Sequence, residues 1–353
     1  MKHLLLLSPG FPENEQDTSC LPTVQAMAGE MSRLFPDLKI SVVSVQYPFE
    51  RKKYNWNGLN IYSMGGRNRK FPTRFSVWHQ VRKSILEIHR RQPIDLIHSF
   101  WLGECALLGH FVAQKTGSRH LTTAMGQDVR QNNPYLKFLP LSRMFVTGLT
   151  PFQHRVFYAS TGKSFQAIVP WGIHPGEFPP LNTSERPIHL LSVGSLIPLK
   201  NYGIIIDVVA RLRHNLPDIR AEIVGDGPER AHLEQKVEAE NLTGHIRFSG
   251  HLPREKVLEK MNNSRVLLHP SEYESFGYVF SEALYSGMNV CSRNTGCAIP
   301  GPRWHIAGDP EQWVKIAENA LSLPQVFTRA DVPTIAETVQ TYYHLYQSLL
   351  EKT

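Results

Sequence analysis

The chain has 353 residues, of which 41% are hydrophobic and 20% are charged, so it is long for one globular core and too apolar for wholesale disorder. We expect two domains of about 150–200 residues each. The four cysteines form no CxxC pair, which predicts reduced, buried thiols in a cytoplasmic protein rather than disulfides or a metal site. The apolar run at residues 4–7 is too short for a signal peptide, and no stretch approaches the roughly 20 apolar residues of a membrane span.

The net charge of +7 is unevenly distributed. Residues 1–170 carry 21 Lys/Arg against 10 Asp/Glu, whereas residues 171–353 carry 17 against 21. The basic excess is densest from Arg51 to Arg91, where Glu87 is the one acid. Apolar residues are interleaved there: Phe71, Phe75, Val77 and Trp78. This composition fits a solvated helix and loop or an anionic membrane surface, and both are favoured over a nucleic-acid face, so we expect no nucleic-acid partner.

In the first half, short apolar runs alternate with segments of helical spacing. The runs predict strands at residues 4–7, 40–45, 61–64, 94–98 and 120–124. The spacing predicts helices at residues 23–34, 77–91 and 105–115. Strands that alternate with helices favour βαβ units and a parallel sheet.

A proline-rich, irregular segment at residues 168–187 interrupts this pattern and predicts a linker. Beyond it, strands are predicted at residues 189–193, 221–224, 246–248, 266–269 and 289–291. Helices are predicted at residues 202–212, 229–239, 257–261 and 280–285. We therefore expect domains at 1–170 and 188–333, a linker at 171–187 and a final helix at 334–353. Two α/β halves in tandem predict a ligand cleft at the carboxyl ends of the strands.

Several common site motifs do not occur. The sequence has no GxGxxG after the first strand, no GxxxxGKS/T, no HExxH and no GxSxG. These absences disfavour classical dinucleotide binding, P-loop chemistry, a zinc site and a hydrolase elbow, and we expect no metal.

Two glutamates flank the start of one predicted helix. Glu274 precedes the helix and Glu282 lies inside it, with seven residues between them. The amides of Ser275, Phe276 and Gly277 would lie at the helix N-terminus, which predicts a diphosphate site. Gly277 would let the backbone approach the anion closely. Glu282 could then accept hydrogen bonds from a ribose diol and Glu274 from sugar hydroxyls, although a solvated pair flanking a helix is the alternative.

This arrangement resembles the donor-site signature of the retaining GT-B-fold glycosyltransferases of family 4, the glycosyl transferases group 1. The segments 193–201, 225–228 and 248–253 resemble further loops of that family in the same order. Lys200 falls in the place of the family's lysine that binds the donor diphosphate. His251 and Leu252 fall in the loop that holds the nucleobase, usually through backbone atoms. The first half resembles the family more loosely, at residues 95–98, 123–128 and 169–174.

The resemblance implies two Rossmann-like α/β domains that face each other across a cleft, with a C-terminal helix that crosses back to the first. The first domain would bind the acceptor and the second the nucleotide sugar. The implied catalytic residues are Glu274, Lys200 and Asp128. The implied nucleotide-sugar residues are Gly10, Ser195, Lys200, Gly225, His251, Leu252, Glu274, Ser275, Phe276, Gly277 and Glu282. The implied acceptor-side residues are His98 and Met125.

Some positions depart from the family pattern. Ser195 stands where many members have a second phosphate-binding arginine, and Met125 where many have a histidine near the sugar. Three of the implied site residues also fit structural roles: Gly225 as a turn residue, His98 as a packed histidine and Asp128 as a cap.

The resemblance further implies a metal-independent transfer of a hexose-type sugar, with retention, from a UDP- or GDP-sugar to an acceptor hydroxyl. The basic region in the first half favours a lipid-linked or glycan acceptor. No cofactor is expected, and the protein would be cytoplasmic or peripheral on the inner face of the membrane. A nucleotide-sugar epimerase or a glycan phosphorylase is an alternative enzyme. A non-catalytic nucleotide-sugar-binding protein is the alternative from another class.

Overall fold

The computed structural model describes residues 1–351. It divides into two compact units. The first unit comprises Met1–Trp171 together with the chain from Thr334 onward, and the second comprises Gly172–Pro333.

The first unit is an eight-stranded sheet flanked by helices. Its strands are β1 (His3–Gly10), β2 (Lys39–Tyr47), β3 (Arg51–Trp56), β4 (Leu59–Met64), β5 (Leu96–Phe100), β6 (Arg119–Thr123), β7 (Phe145–Gly148) and β8 (Ala167–Ile168). Its helices are α1 (Pro22–Leu34), α2 (Arg74–Arg91), α3 (Glu104–Thr116), α4 (Pro151–Thr161) and the C-terminal helix (Ile335–Glu351). The strand order is β3-β4-β2-β1-β5-β6-β7-β8, and every pair is parallel except β3 with β4.

Burial explains the continuous apolar run of β1. Helices cover both faces of a parallel sheet, so a central strand needs apolar side chains on both sides. The leucines at positions 4 to 7 are accordingly almost inaccessible to solvent. The C-terminal helix completes this unit, because Tyr342 Oη accepts a hydrogen bond from Trp171 Nε1 (3.3 Å) and the ring of Tyr343 stacks on Phe35.

The second unit is a six-stranded sheet that is parallel throughout. Its strands are β9 (Ile188–Val193), β10 (Ala221–Val224), β11 (Ile246–Gly250), β12 (Ser264–His269), β13 (Asn289–Ser292) and β14 (Trp304–Ile306). Its helices are α5 (Gly203–Leu212), α6 (Arg230–Ala239), α7 (Arg254–Asn262), α8 (Tyr278–Tyr285) and α9 (Pro310–Ser322). The strand order is β11-β10-β9-β12-β13-β14.

The structure adds elements that the sequence patterns did not predict. Arg51–Trp56 forms an antiparallel edge strand that pairs with β4. Its alternate side chains face solvent, and only Trp56 is buried. Such an edge tolerates lysine and arginine, so this segment contains no apolar run that would predict a strand. The other missed elements are β7, α4, β8, β14 and α9. Residues 172–187 lie in the second unit, where Ile173 and Phe178 are part of the core.

Candidate functional site

The predicted donor-site residues collect at one edge of the second sheet. Parallel strands end at the same edge, so the loops after β9, β10, β11 and β12 are neighbours there. Lys200 lies in the loop after β9 and Glu274 in the loop after β12, and these two strands are adjacent in the sheet. Glu282 lies inside α8, eight residues beyond Glu274.

Glu274 contacts two other side chains at this edge of the sheet. Its Oε1 atom accepts hydrogen bonds from Lys200 Nζ and from His269 Nε2, the latter at 2.7 Å. The side chains of Lys200 and Glu274 are 18% and 14% exposed. Burial alone would raise the pKa of Glu274, but the hydrogen bond from His269 and the charge of Lys200 outweigh it and hold that pKa at about 2. Glu274 is therefore a carboxylate at neutral pH.

His269 was not predicted from the sequence. It is the last residue of β12, is 2% exposed, and burial lowers its pKa despite the neighbouring carboxylate. It is therefore a neutral donor to Glu274 at neutral pH. The only sequence signal was its position at a strand end ahead of the Glu274 loop.

Two neighbouring loops hold the Glu274 loop in place. The amide of Glu272 donates to the carbonyl of Leu199 (3.0 Å), which ties this loop to the one that carries Lys200. The amide of Cys297 donates to the carbonyl of Phe276 (2.7 Å). Gly296 has φ +61°, and a Cβ there would lie 2.3 Å from the Phe276 oxygen, so the close approach requires glycine.

Gly277 immediately precedes α8 and has φ +80°. A Cβ at this position would lie 2.4 Å from the ring of Phe280. That ring in turn packs edge-on against the imidazole of His269, with centroids 5.2 Å apart. Gly277 thus lets Phe280 support the histidine that contacts Glu274. Its predicted contact with a diphosphate, like those of Ser275 and Phe276, remains a prediction.

Gly225 has a structural role in this fold. A Cβ on it would lie 1.9 Å from the Gly194 oxygen, so the loops after β9 and β10 touch through their backbones. The amide of Leu196 also donates to the carbonyl of Asp226 (2.9 Å). These contacts support the structural interpretation of Gly225, and its contact with a ligand remains a prediction.

Glu282 is paired with an arginine that the sequence interpretation missed. Arg254 Nη1 donates to Glu282 Oε1 and Arg254 Nε to Glu177 Oε2, each at 2.5 Å. Burial opposes the charge on Arg254, but the two glutamates outweigh it and raise its pKa. Arg254 follows the predicted nucleobase loop directly, and this position was the sequence signal that could have identified it as a site residue.

The remaining donor-side candidates lie at the same edge of the second sheet. Ser195 comes two residues after β9, and His251 immediately follows β11. Both are exposed, whereas Leu252 packs partly against the core. Their contact with a nucleotide remains a prediction.

Asp128 lies in the first unit and organises a loop there. Its carboxylate accepts hydrogen bonds from the amides of Leu102 (2.7 Å), Met125 (3.3 Å) and Gly126 (2.6 Å). Burial raises its pKa even though these amides favour the charged form. Three backbone donors on one carboxylate support the capping interpretation. Its catalytic role remains a prediction, as does an acceptor-side role for Met125.

His98 also lies in the first unit and exposes no surface. Its Nδ1 contacts Tyr346 Oη at 2.6 Å and its Nε2 contacts Thr123 Oγ1 at 2.7 Å. Both ring nitrogens are therefore used within the unit, which supports the packed-histidine interpretation. Gly10 is the last residue of β1, and a Cβ there would lie 3.1 Å from Cys20 Sγ.

Two features are absent from the described residues: a cluster of metal-binding side chains and a membrane-spanning helix. Within residues 1–351, no group of three or more His, Cys, Asp or Glu side chains could hold a metal ion. Over the same residues, no helix combines the length and apolar character needed to cross a membrane.

Comparison with known proteins shows a similarity at this edge. Residues 176–300 match the family model of glycosyl transferases group 1, and this segment contains Lys200, Glu274 and Glu282. The glycosyltransferase from Rickettsia africae ESF-5 superposes with a TM-score of 0.77 over 100% of both chains at 14% identity. That likeness shows the fold, which is GT-B.

Two curated relatives in this family are similar over different lengths. The phosphatidylinositol N-acetylglucosaminyltransferase GPI3 subunit of Saccharomyces cerevisiae (strain YJM789) is 21% identical over 297 residues, which cover 75% of this chain and 63% of the yeast protein. The 2-deoxystreptamine N-acetyl-D-glucosaminyltransferase of Niallia circulans is 28% identical over 107 residues, or 30% of this chain and 28% of that protein. The chain thus spans less than two thirds of either relative.

Proposed function

We propose that this protein is a retaining glycosyltransferase that moves a hexose-type sugar from a nucleoside-diphosphate donor to a hydroxyl acceptor without a metal ion. The observation that carries the proposal is the ion pair of Lys200 with Glu274 at the carboxyl edge of the second sheet. The pair lies within the family-matched segment 176–300. A cation and a carboxylate on adjacent loops match the two parts of such a donor, its diphosphate and its sugar hydroxyls.

In the proposed reaction, the bond between the anomeric carbon and the diphosphate oxygen breaks. The acceptor oxygen bonds to the same carbon on the same face, and its proton passes to an oxygen of the departing diphosphate. The ammonium of Lys200 stabilises the negative charge that develops on the leaving group. Glu274 accepts hydrogen bonds from the sugar and so orients the anomeric carbon.

N-acetylglucosamine is the first sugar to test. The two curated relatives differ in their named acceptors, phosphatidylinositol and 2-deoxystreptamine, but both names specify transfer of N-acetylglucosamine. We therefore propose UDP-N-acetylglucosamine as the first donor candidate, with GDP-sugars as the alternative.

A lipid-linked acceptor at a membrane surface is favoured by a patch on the first unit, although a glycan acceptor stays open. Phe71, Phe75 and Trp78 pack edge to face with centroids 4.8–5.8 Å apart. Phe71 is 59% exposed and Phe75 is 55% exposed, which is unusual for rings that already contact each other. We call this trio, with its surrounding cations, the aromatic patch.

The cations of the aromatic patch lie on the loop before α2 and on the solvent face of that helix. The exposed ones are Arg67, Arg69, Lys70, Arg82 and Lys83. Aromatic rings settle at the headgroup level of a bilayer, and cations near them are attracted to anionic lipids by about 1 kcal/mol each. We therefore propose that the protein is peripheral on a membrane leaflet that carries anionic lipid.

Vesicle co-sedimentation tests the aromatic patch. Wild type should bind vesicles that contain phosphatidylserine and not vesicles of phosphatidylcholine alone, and the Phe71→Ser/Phe75→Ser variant should lose most of the binding. Phe138→Ser is the matched control, because Phe138 is 70% exposed on the same unit and outside the patch. Equal binding by both variants, or binding to single-stranded nucleic acid in place of vesicles, would contradict a membrane surface.

Thermal shift tests the donor site. We expect one of UDP, GDP and ADP to raise the melting temperature of wild type, because a hundredfold excess over Kd adds about 2.7 kcal/mol to the free energy of unfolding. Lys200→Ala should abolish the shift. Lys256→Ala is the matched control, because Lys256 pairs with Glu259 on the surface of α7. Binding without transfer to any acceptor would favour the non-catalytic alternative, and no shift with any nucleotide would refute the proposed donor site.

A further inference from the structure

One carboxylate oxygen of Glu274 accepts hydrogen bonds from two side chains that differ in conformational freedom. Lys200 reaches Oε1 on a flexible four-carbon stem that is 18% exposed. His269 reaches the same atom from the end of β12, a strand that pairs with β9 on one side and β13 on the other. The lysine can change partner by rotating its side chain, whereas the histidine is held by the sheet.

Packing fixes the ring of His269 as well as its backbone. Phe280, which exposes no surface, lies edge-on to the imidazole at 5.2 Å and 87°. Gly277 leaves the space that the Phe280 ring occupies. The direction of the Nε2 atom toward Glu274 is therefore set by three elements: β12, the Gly277 turn and the first turn of α8.

Donor binding, as proposed above, places a competing anion beside Lys200. A diphosphate carries more negative charge than one carboxylate, so the ammonium of Lys200 would turn toward it. Glu274 would then lose one donor in a site where it is only 14% exposed. A buried carboxylate without a partner is costly, and an alternative rotamer toward water would move it away from the sugar.

We infer that His269 is a positioning residue that holds the Glu274 carboxylate in place while Lys200 exchanges that carboxylate for the donor diphosphate. This inference rests on the proposed function. It assigns the two donors to different steps: Lys200 serves the leaving group, and His269 keeps the sugar-binding carboxylate oriented.

The other titratable groups that face Glu274 do not replace this donor. They are Tyr202 on the neighbouring loop and Cys297 beyond β13. Burial raises the pKa of each, and the negative charge of Glu274 raises it further. Both are neutral at pH 7. His269 is thus the group on a strand that donates a hydrogen bond to Glu274.

The test compares His269→Leu, which removes the donor, with His269→Gln, which keeps an N–H group. His120→Leu is the control for losing a partly buried, hydrogen-bonded histidine, because His120 Nε2 bonds Ser99 Oγ (2.9 Å) in the first unit. Calorimetric Kd values for UDP and GDP, and kcat and KM with UDP-N-acetylglucosamine or the donor that thermal shift identifies, are measured for each.

We expect His269→Leu to bind the nucleoside diphosphate within about twofold of wild type while kcat falls about 10- to 100-fold, the range for one hydrogen bond to a charged group. His269→Gln should recover most of kcat. The acid limb of the kcat profile should move to higher pH in His269→Leu, because Glu274 loses one of the two groups that lower its pKa.

Three results would overturn the inference alone. The first is a wild-type kcat in His269→Leu. The second is a parallel loss of diphosphate binding and kcat in His269→Leu. The third is an equal loss of kcat in His120→Leu, which would indicate a folding defect. A wild-type protein that binds no nucleotide would instead refute the proposed function, and this inference with it.

Discussion

Asp128 in the first unit and Glu274 in the second are both largely buried acids in loops that follow parallel strands. Asp128 accepts hydrogen bonds from three backbone amides, which cannot leave without unfolding the loop. Glu274 accepts from two side chains, and one of them, Lys200, can rotate away. Their pKa values move in opposite directions, since burial dominates at Asp128 and the partners dominate at Glu274. The lesson is that the mobility of a partner, not burial of the acid, separates a loop anchor from a binding group.

The largest expected effect is on transfer. Lys200→Ala should lower kcat by about 10²–10³-fold, because one preorganised charge on a leaving group contributes about 3–4 kcal/mol. Steady-state kinetics with the identified donor measures it, with Lys256→Ala as the control. If Asp128→Asn lowered kcat as much at unchanged stability, the contrast between the two loops would fail.

Next comes the pH dependence of stability at Glu274. The pKa of Glu274 is about 2 in the folded chain and 4.5 in the unfolded chain. The ionised carboxylate therefore stabilises the fold above pH 4.5. That contribution, about 3 kcal/mol, should be lost as pH falls from 4.5 toward 2. Urea unfolding across this range should show the gap between wild type and Glu274→Gln closing in acid. A gap independent of pH would contradict the assigned pKa.

A comparable effect is expected from the glycines that position the Glu274 loop. Gly277→Ala and Gly296→Ala should each destabilise by about 1–3 kcal/mol more than a positive φ alone costs. Gly117→Ala is the matched control, since Gly117 has φ +73° but nothing lies within 4 Å of an added Cβ. Denaturant midpoints of the three variants decide whether the close contacts or only the backbone angle matters.

A smaller loss, about 1–3 kcal/mol of stability, is expected for Asp128→Asn, because an amide group offers one carbonyl oxygen where the carboxylate offers two. Nucleotide binding measured by calorimetry should stay at the wild-type value. Stability unchanged together with activity lost would restore the catalytic interpretation of this residue.

The smallest expected effect is that of chelation. Turnover in excess EDTA should equal turnover in buffer, because in the proposed mechanism Lys200 supplies the positive charge. A loss that Mg²⁺ or Mn²⁺ reverses would contradict metal independence.

The sequence itself determined the class of fold, and it predicted which loops carry the candidate site. Strand and helix periods are local, so β1, β9 and β12 were predictable from apolar runs, and the glutamate spacing located the start of α8. Elements without a clear apolar period were missed. In the basic edge strand β3, polar residues occupy both the exposed and the partly buried positions, so the sequence shows no strand period.

Only the tertiary structure decided which side chains are partners. His269 meets Glu274 five positions further along the chain, Arg254 meets Glu282 from a different helix, and Lys200 meets Glu274 from a loop 74 residues earlier. Gly296 and Phe280 take their roles from close contacts that no spacing reveals. The physical reason is that hydrogen bonds and packing depend on distances of a few ångströms, which the folded chain sets and sequence separation does not.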